Sequence, residues 1–539
     1  MRVNNQGSSE NHVSLLAVLA VAMLGMSGCM MVGPNYVRPS APTAETWIEM
    51  GDPTVKRAAH DIATWWTVFN DPALNTLVET AYRQNPSLRA AGVRVLEAQA
   101  RRGIAIGQLF PQQQEALGNA NTNELSKNRA NRNIPGLVRD YDDWQIGFDA
   151  TWELDVWGRF RRNLEAADAE LLASMASYDD VLVSLVAEVA RNYTLLRTLE
   201  ARLAVARENV TIQTHSFEIA DAKFKGGTVT ELDSAQAASL LHDTEAQIPS
   251  LESDMRQTQN TLCILLGIPP QDLQHMLGGT KSIPTPPAEV AVGIPADLLR
   301  RRPDIRRAER QLAAQSAQIG VAKADLFPSF AFLGTISVAA QDFDDLFKSS
   351  SLENFGGPSF RWAILNYGRI ENNVRVQDAR FQALIGEYET TVLQAQGEVE
   401  NAIAAYLGAQ RQVKFLSSSV ASASRAVELA EFQYREGAAD YTRVLNTQQF
   451  LVTEQDRLVS TQGSVVLNLV ALYKALGGGW ELRIGKDLVP QETKRQMVER
   501  TAWDGMLTTE AQAQDLNAAA SGTESDRRWW RWRWWWPKW

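Results

Sequence analysis

The chain has 539 residues, 45% of them hydrophobic, which is enough for one or two buried cores. It has 53 Lys and Arg against 63 Asp and Glu, which gives a net charge of −10. Because phosphate contacts need clustered basic residues, this acidic balance argues against a nucleic-acid partner.

The N-terminus is typical of an export signal. Arg2 precedes an apolar run over residues 13–26, which is too short to span a membrane as a mature helix. The run ends in the letters MSGC, similar to a lipobox, so we expect cleavage before Cys29 and a covalent lipid (diacylglycerol and N-acyl) on its thiol. The residue directly after the cysteine is Met30 and not Asp. Bacterial lipoproteins without Asp at this position are generally sorted to the outer membrane. A plain signal peptide with an incidental cysteine is the alternative.

Beyond this signal, no stretch reaches about 18 uninterrupted apolar residues, the length of a membrane-spanning helix. The mature chain could therefore enter a membrane only as a closed barrel. The second cysteine, Cys263, lies in an apolar stretch and is predicted to fill a core. With Cys29 lipidated, no intramolecular disulfide is available.

The chain repeats itself once. The triplet LFP ending at Pro111 recurs ending at Pro328, an offset of 328 − 111 = 217, and WGR from Trp157 matches YGR from Tyr367, an offset of 367 − 157 = 210. The proline-rich linker between the halves cannot be a long helix. The predicted divisions are a signal peptide (1–28), a lipidated extended segment (29–64), repeat 1 (65–267), the linker (268–296), repeat 2 (297–478) and a C-terminal segment (479–539).

Alternating apolar and polar residues predict β-strands in each repeat. The alternation is nearly strict from Gln145 to Val156, and it returns after Phe330 and Phe360. The predicted elements are one hairpin at about 111–157 with a polar loop from Asn119 to Arg139, and a second hairpin at about 328–367.

Four strands cannot close a barrel alone, because the smallest membrane barrels have about 8. Closure would therefore need several chains, and the alternative is a soluble β-sandwich. The polar side of the alternation includes Asp149, Glu153 and Asp155. In a barrel these acids would line the lumen and favour cations; otherwise they are solvated charges without a role in selectivity.

Seven-residue spacing of large side chains predicts long coiled-coil helices. A repeat of this length keeps one face toward a partner helix and imposes a left-handed supercoil. The roughly 65 residues from Phe160 to Phe224 would span about 100 Å. The two series are Leu182, Val189, Leu196, Leu203, Val210, Phe217 and Phe224, and Leu164, Leu171, Tyr178, Leu185, Asn192 and Leu199.

The chain is then expected to turn at Gly226-Gly227 and to return through a helix from Glu231 to Leu266. The second half is expected to turn in the same way at Arg435–Asp440. These two turns would be the far tips of a long helical cylinder.

Several short motifs occur in order between about Cys29 and Gly478. They are Val32–Tyr36, Trp65-Trp66 with Asp71-Pro72 and Asn85-Pro86, Leu154–Arg159, Leu298–Ile305 and Ile319–Ala324. Together they resemble the TolC/OprM-type outer membrane factors. The resemblance implies an α+β membrane protein, a homotrimer whose 12-stranded β-barrel (four strands per chain) continues into a long coiled-coil α-barrel.

The same resemblance implies a function and partners. Members of the family conduct small molecules outward from a periplasmic adaptor protein and an inner-membrane pump, most often of the resistance-nodulation-division type. The residues expected to contact the adaptor are those of the two tip turns, Gly226, Gly227, Thr228, Gly437 and Ala438.

The family often has an acid and an arginine three residues apart in the second tip helix, and their ion pairs hold the pore shut. In this chain Asn446 and Gln449 occupy those positions. Since a neutral hydrogen bond contributes only about 0.5–1.5 kcal/mol, less than a charged one, we expect a gate held less by ion pairs. Glu436 and Asp440 are the nearest remaining acids.

The C-terminal sequence RRWWRWRWWWPKW, from Arg527 to Trp539, is not explained by the resemblance. Tryptophan together with basic residues suits a membrane interface. An incidental extension is the alternative.

The sequence offers no sign of catalysis or of a resident cofactor or metal. Its histidines show no ligand spacing, and it has neither a phosphate-binding loop nor a nucleophile elbow. We therefore expect no enzyme. Two alternatives to an efflux channel stay open: a type I secretion conduit and a coiled-coil lipoprotein scaffold without a channel.

Overall fold

The computed structural model describes residues 30–507 except 58–61, 129, 131–133, 137, 279–281, 288 and 504, and gives only the backbone of 299 and 300. The predicted signal peptide, Cys29 and the tryptophan-rich tail lie outside the described residues.

Long helices and one antiparallel sheet make up the described chain. The helices are α1 (Pro72–Gln84), α2 (Pro86–Gly107), α3 (Arg159–Lys225), α4 (Glu231–Leu266), α5 (Gln274–Leu277), α6 (Leu298–Arg301), α7 (Pro303–Ala324), α8 (Arg369–Arg435), α9 (Tyr441–Ala475) and α10 (Gln491–Arg500). The strands are β1 (Val55–Lys56), β2 (Gln113–Glu124), β3 (Asp140–Leu154), β4 (Val290–Ala291), β5 (Ser329–Ala340) and β6 (Leu352–Arg361).

Helices of equal length occupy matching places in the two halves. Helices α3 and α8 each have 67 residues and begin 369 − 159 = 210 positions apart. Helices α2 and α7 each have 22 residues and begin 303 − 86 = 217 positions apart. Both of the latter open with proline at the first helical position, where the missing N–H costs no hydrogen bond.

The four long strands form one antiparallel sheet in the order β2-β3-β5-β6, while β1 and β4 pair separately in parallel. Strand β2 extends to Glu124 and pairs with β3 along its whole length. The prediction of a loop beginning at Asn119 was therefore wrong. The Asn-rich sequence has low strand propensity, but its backbone hydrogen bonds to β3 hold it in the sheet.

Register divides the sheet into two chemically different faces. Ala116 lies opposite Phe148, Phe148 opposite Ile336, and Ile336 opposite Asn354. Every registered pair joins two even-numbered or two odd-numbered residues, so the parity of a residue number gives its face across all four strands. We call the even-numbered side the apolar face and the odd-numbered side the polar face.

Helix α3 runs through the middle of the helical part and packs against α2, α4, α7 and α9. The predicted seven-residue series lie on its buried faces: Leu182, Val189 and Leu196 are fully buried, whereas Phe224 near the turn is exposed. Cys263 is confirmed as a buried free thiol. Among the described helices, none combines the length and the apolar character needed to cross a membrane.

Candidate functional site

The polar face of the sheet concentrates carboxylates. Asp149 of β3 lies directly opposite Glu115 of β2 and Thr335 of β5. Its Oδ1 atom is buried and has no hydrogen-bond partner among the described residues. Like charges placed opposite each other on neighbouring strands are destabilising, so this pair lowers the stability of the sheet and makes this part of the face negative.

The other two acids predicted for this surface are already paired. Glu153 forms an ion pair with Arg159 at 2.9 Å. Asp155 does not belong to a strand, because β3 ends at Leu154. Its carboxylate accepts hydrogen bonds from the backbone N–H groups of Phe160 and Arg161, each at 3.0 Å, and therefore caps helix α3. Asp155 thus lies just past the strand that was expected to contain it, and its place in a barrel lumen stays a prediction.

The apolar face of the sheet is open to its surroundings. Phe148 is 68% exposed, Ile336 61% and Phe360 73%. Aromatic clusters stand at both ends: Trp144 meets Phe343 edge-on at 5.1 Å at one end, and a stack of Trp157 on Phe327 at 4.6 Å marks the strand-to-helix end. A contiguous apolar face of this kind needs a partner surface, and aromatic side chains at its margins suit the interfaces of a lipid bilayer.

The segment that follows Cys29 is fixed where strands become helices. The N–H of Val32 donates to the carbonyl of Trp157 at 3.0 Å, three residues after β3 ends at Leu154. Buried Arg162 donates to the Asn35 side chain at 2.8 Å. Gly33 has a φ of 99° and lies so close to Gly320 that a Cβ would stand 2.4 Å from its Cα. Residue 30 is thus held within a few residues' reach of the sheet's end.

Two turns of the same type end the long helices. Gly227 and Gly437 have φ values of 71° and 73°, the left-handed conformation that glycine adopts without strain. The N–H of Thr228 donates to the carbonyl of Lys223, and the N–H of Ala438 donates to that of Gln433, which closes a Schellman motif at each helix end. The predicted adaptor-contacting residues, including Gly226, are all exposed on these turns.

A contact that the sequence did not predict joins the two turns. The Nζ of Lys223 donates to the carbonyls of Tyr434 at 2.5 Å and Arg435 at 3.1 Å, at the end of α8. The same ammonium group stands 4.5 Å from the centroid of the Tyr434 ring. The Tyr434 hydroxyl donates to Asp233 at 3.3 Å, and burial together with that carboxylate raises the pKa of Tyr434 to about 12. The hydroxyl therefore stays protonated and keeps donating at neutral pH.

The predicted gate residues lie beside this contact but not in it. Asn446 and Gln449 are exposed on α9, and among the described residues their side chains have no hydrogen-bond partner. Asp440 accepts from the N–H of Arg443 at 3.3 Å and caps α9, and Glu436 is exposed in the turn. The chain by itself brings none of the four together in an ion pair.

Polar side chains spaced by seven along α3 connect it to α9. Arg202 pairs with Asp456 at 2.6 Å, and Asn209 donates to Gln455 at 2.7 Å. One heptad further on, Ser216 accepts from Gln448 at 2.6 Å. Together with Lys223, this row ties the first half of the chain to the second along the helices that lead to the turns. The seven-residue spacing of these polar residues is visible in the sequence, but nothing in the sequence indicates which residues of the second half they contact.

The described residues include no group of His, Cys, Asp and Glu that could hold a metal ion. The arrangement is thus a two-faced sheet continued by long helices that end in two matched turns. It is suited to lining and closing a passage.

Comparison with known proteins agrees with this arrangement. The family described as outer membrane efflux protein matches residues 77–268 and 294–478. The pyoverdine export outer membrane protein OpmQ of Pseudomonas putida is 34% identical over 419 residues, covering 77% of this chain and 88% of that protein. The toluene efflux pump outer membrane protein TtgI of Pseudomonas putida is 31% identical over 475 residues, covering 87% and 98%.

A solved structure, that of the outer-membrane channel OprN, superposes with a TM-score of 0.78 at 31% identity, covering 84% of this chain and all of that one. On the family match, the relatives and the shared fold, the chain belongs to the outer membrane efflux protein family, and its place is the outer membrane.

Proposed function

We propose that three copies of the chain form the outer-membrane channel of a tripartite efflux system. The observation that carries this proposal is the four-stranded sheet with one exposed apolar face, one polar face and two unpaired edges, β2 and β6. Pairing β6 of one copy with β2 of the next satisfies the edges, and 3 × 4 = 12 strands close a barrel. The two repeats then supply the helical wall below it.

The exported molecules are small organic compounds. Support comes from the names of two relatives, which refer to pyoverdine export and toluene efflux. The partners in this proposal are a periplasmic adaptor and an inner-membrane pump of the resistance-nodulation-division type, with the adaptor meeting the exposed turns at Gly227 and Gly437. The polar face encloses the lumen, and the apolar face contacts outer-membrane lipid.

Lipid on Cys29 anchors each chain beside the barrel. The hydrogen bond between Val32 and Trp157 supports this, because it holds the chain three residues after Cys29 at the end of the sheet. A Cys29→Ser variant should incorporate no labelled palmitate and should be recovered in smaller amount from outer-membrane fractions. Equal labelling of the wild type and the variant would contradict the anchor.

The central experiment measures the assembly and conductance of the full chain purified from outer membranes. We expect a trimer by mass measurement in detergent and discrete conductance steps in planar lipid bilayers. A monomer without conductance would overturn the channel and favour a scaffold lipoprotein.

A further inference from the structure

The strongest unexplained chemistry lies on the polar side of the molecule where the sheet meets the helices. A cavity of about 220 Å³ is present there. Its charged lining residues are Glu153, Asp155, Arg159, Asp325, Arg361 and Arg369. A channel does not by itself require charged side chains at this place. Which of these charges are paired and which are not therefore indicates a further role.

Each acid of the cavity is already engaged by a neighbouring cation. Glu153 accepts from Arg159 at 2.9 Å, and Asp325 stands 3.8 Å from the same guanidinium group. Asp155 is paired with Arg161 at 3.0 Å in addition to capping α3. Arg159, together with Arg161 just outside the cavity lining, thus contacts all three carboxylates and offsets two of their three negative charges.

The other two arginines have no such partner. In the part of the chain that the structure describes, no carboxylate forms an ion pair with Arg361 or Arg369. The nearest acid along α8, Glu371, is paired with Arg375 at 3.7 Å. Both free guanidinium groups are exposed and border the same cavity, so they can bind an external group.

Register places Arg361 on the polar face. It is the last residue of β6 and lies opposite Ser329, and both numbers are odd, as is that of Asp149. Acids predominate on this face farther from the helices, at Glu115, Asp149 and Glu353. At the helical end, the two positive charges of Arg361 and Arg369 exceed the one carboxylate charge that Arg159 and Arg161 leave over. The sign of the net charge therefore reverses along the face, from negative within the sheet to positive at its helical end.

We propose that Arg361 and Arg369 form an anion-binding subsite, repeated three times around the lumen, that attracts the carboxylate or phosphate groups of exported solutes. Guanidinium groups suit this role, because they stay charged and bind both groups through paired N–H donors. The proposal rests on the proposed function, since the polar face encloses a lumen only in the closed barrel.

The test uses the purified full-length channel in planar bilayers under a KCl gradient, with reversal potential as the readout. The double variant Arg361→Gln with Arg369→Gln should show a severalfold higher permeability ratio of K⁺ to Cl⁻ than the wild type. Arg375→Gln, on the same helix but ion-paired to Glu371, is the matched control and should leave the ratio unchanged. Replacing both residues by lysine should keep most of the wild-type ratio.

A second readout is block by inorganic phosphate. Phosphate added to one side should reduce the conductance of the wild type at lower concentration than that of the glutamine double variant. An unchanged reversal potential and unchanged phosphate block in that variant would overturn the subsite alone. Absence of any conductance in the wild type would overturn both the channel and the subsite. Asp149→Asn should shift the reversal potential in the opposite direction. If neither Asp149→Asn nor the glutamine double variant shifts it, the polar face does not line the lumen.

Discussion

At the scale of single residues, Asp179 fastens three distant parts of the chain. It is fully buried within α3, and its carboxylate binds Arg306 of α7 at 2.6 Å and the Nε and Nη2 atoms of Arg483. The centroid of the Trp480 ring lies 4.4 Å from the guanidinium carbon of Arg306 and 5.5 Å from that of Arg483. The segment that follows α9 is thereby held against the helices.

Replacing Asp179 by Asn should destabilise the folded protein by about 3–5 kcal/mol, because one anion is removed from two partly buried cations. The measurement is the thermal unfolding temperature of the purified protein, with protease sensitivity of the segment after α9 as a local readout. Asp243→Asn is the control, since Asp243 is exposed on α4. Equal unfolding temperatures for the two variants would show that Asp179 does not stabilise the folded protein.

Lys223 allows a residue-scale test of the turn contact. Lys223→Met removes two charge-assisted hydrogen bonds to the end of α8, each about 1.5–3 kcal/mol, and should raise the conductance of the closed channel severalfold. Lys225→Met is the matched control, because Lys225 is exposed and pairs only along its own helix, with Asp221. The role of Lys223 in closure fails if both variants leak equally.

At the scale of elements, the uncharged residues Asn446 and Gln449 on α9 lead us to expect a weakly held closed state. The double variant Asn446→Asp with Gln449→Arg introduces an acid and an arginine on an exposed face of the helix, where neighbouring copies would meet. It should lower the closed-state conductance relative to wild type, because charged pairs bind more strongly than neutral ones.

The two single variants serve as controls, since each adds one charge without its partner. Conductance that stays at the wild-type level in the double variant would show that these positions do not control closure.

Elements with a strong periodic signal were predictable from the sequence. The turn at Gly226, the return helix α4 and the start of α7 at Pro303 all lie where glycine, heptads and proline indicate them. Strand β2 was only partly predictable, because its sequence is weak and its partner strand determines its length.

The candidate site was less predictable, because it depends on pairs distant in sequence. Asp155 continues the alternation of β3, and only the structure shows that its carboxylate caps the next helix. Lys223 and Tyr434 are 211 residues apart. Lys223 continues the seven-residue row of polar side chains on α3, but no local pattern indicates its partner, so the turn contact could not be predicted.

At the scale of the whole molecule, insertion into a membrane depends on which face each strand residue belongs to. Ile336→Lys puts a charge on the apolar face and should cost about 2–4 kcal/mol near the bilayer centre, reducing the amount of channel in outer-membrane fractions. Thr335→Lys, one residue earlier on the polar face, is the control and should be recovered like the wild type. Equal recovery of both variants would contradict the assignment of the faces.

The even–odd register of the sheet also limits how its strands can change in evolution. Insertion or deletion of a single residue inside a strand would move every residue beyond it to the opposite face, exposing aromatic rings to the lumen and acids to lipid. Strands can therefore gain or lose residues only in pairs, or next to a compensating bulge. Odd changes in length must fall in the connections, such as residues 125–139 and 341–351, so related channels should differ in loop length far more freely than in strand length.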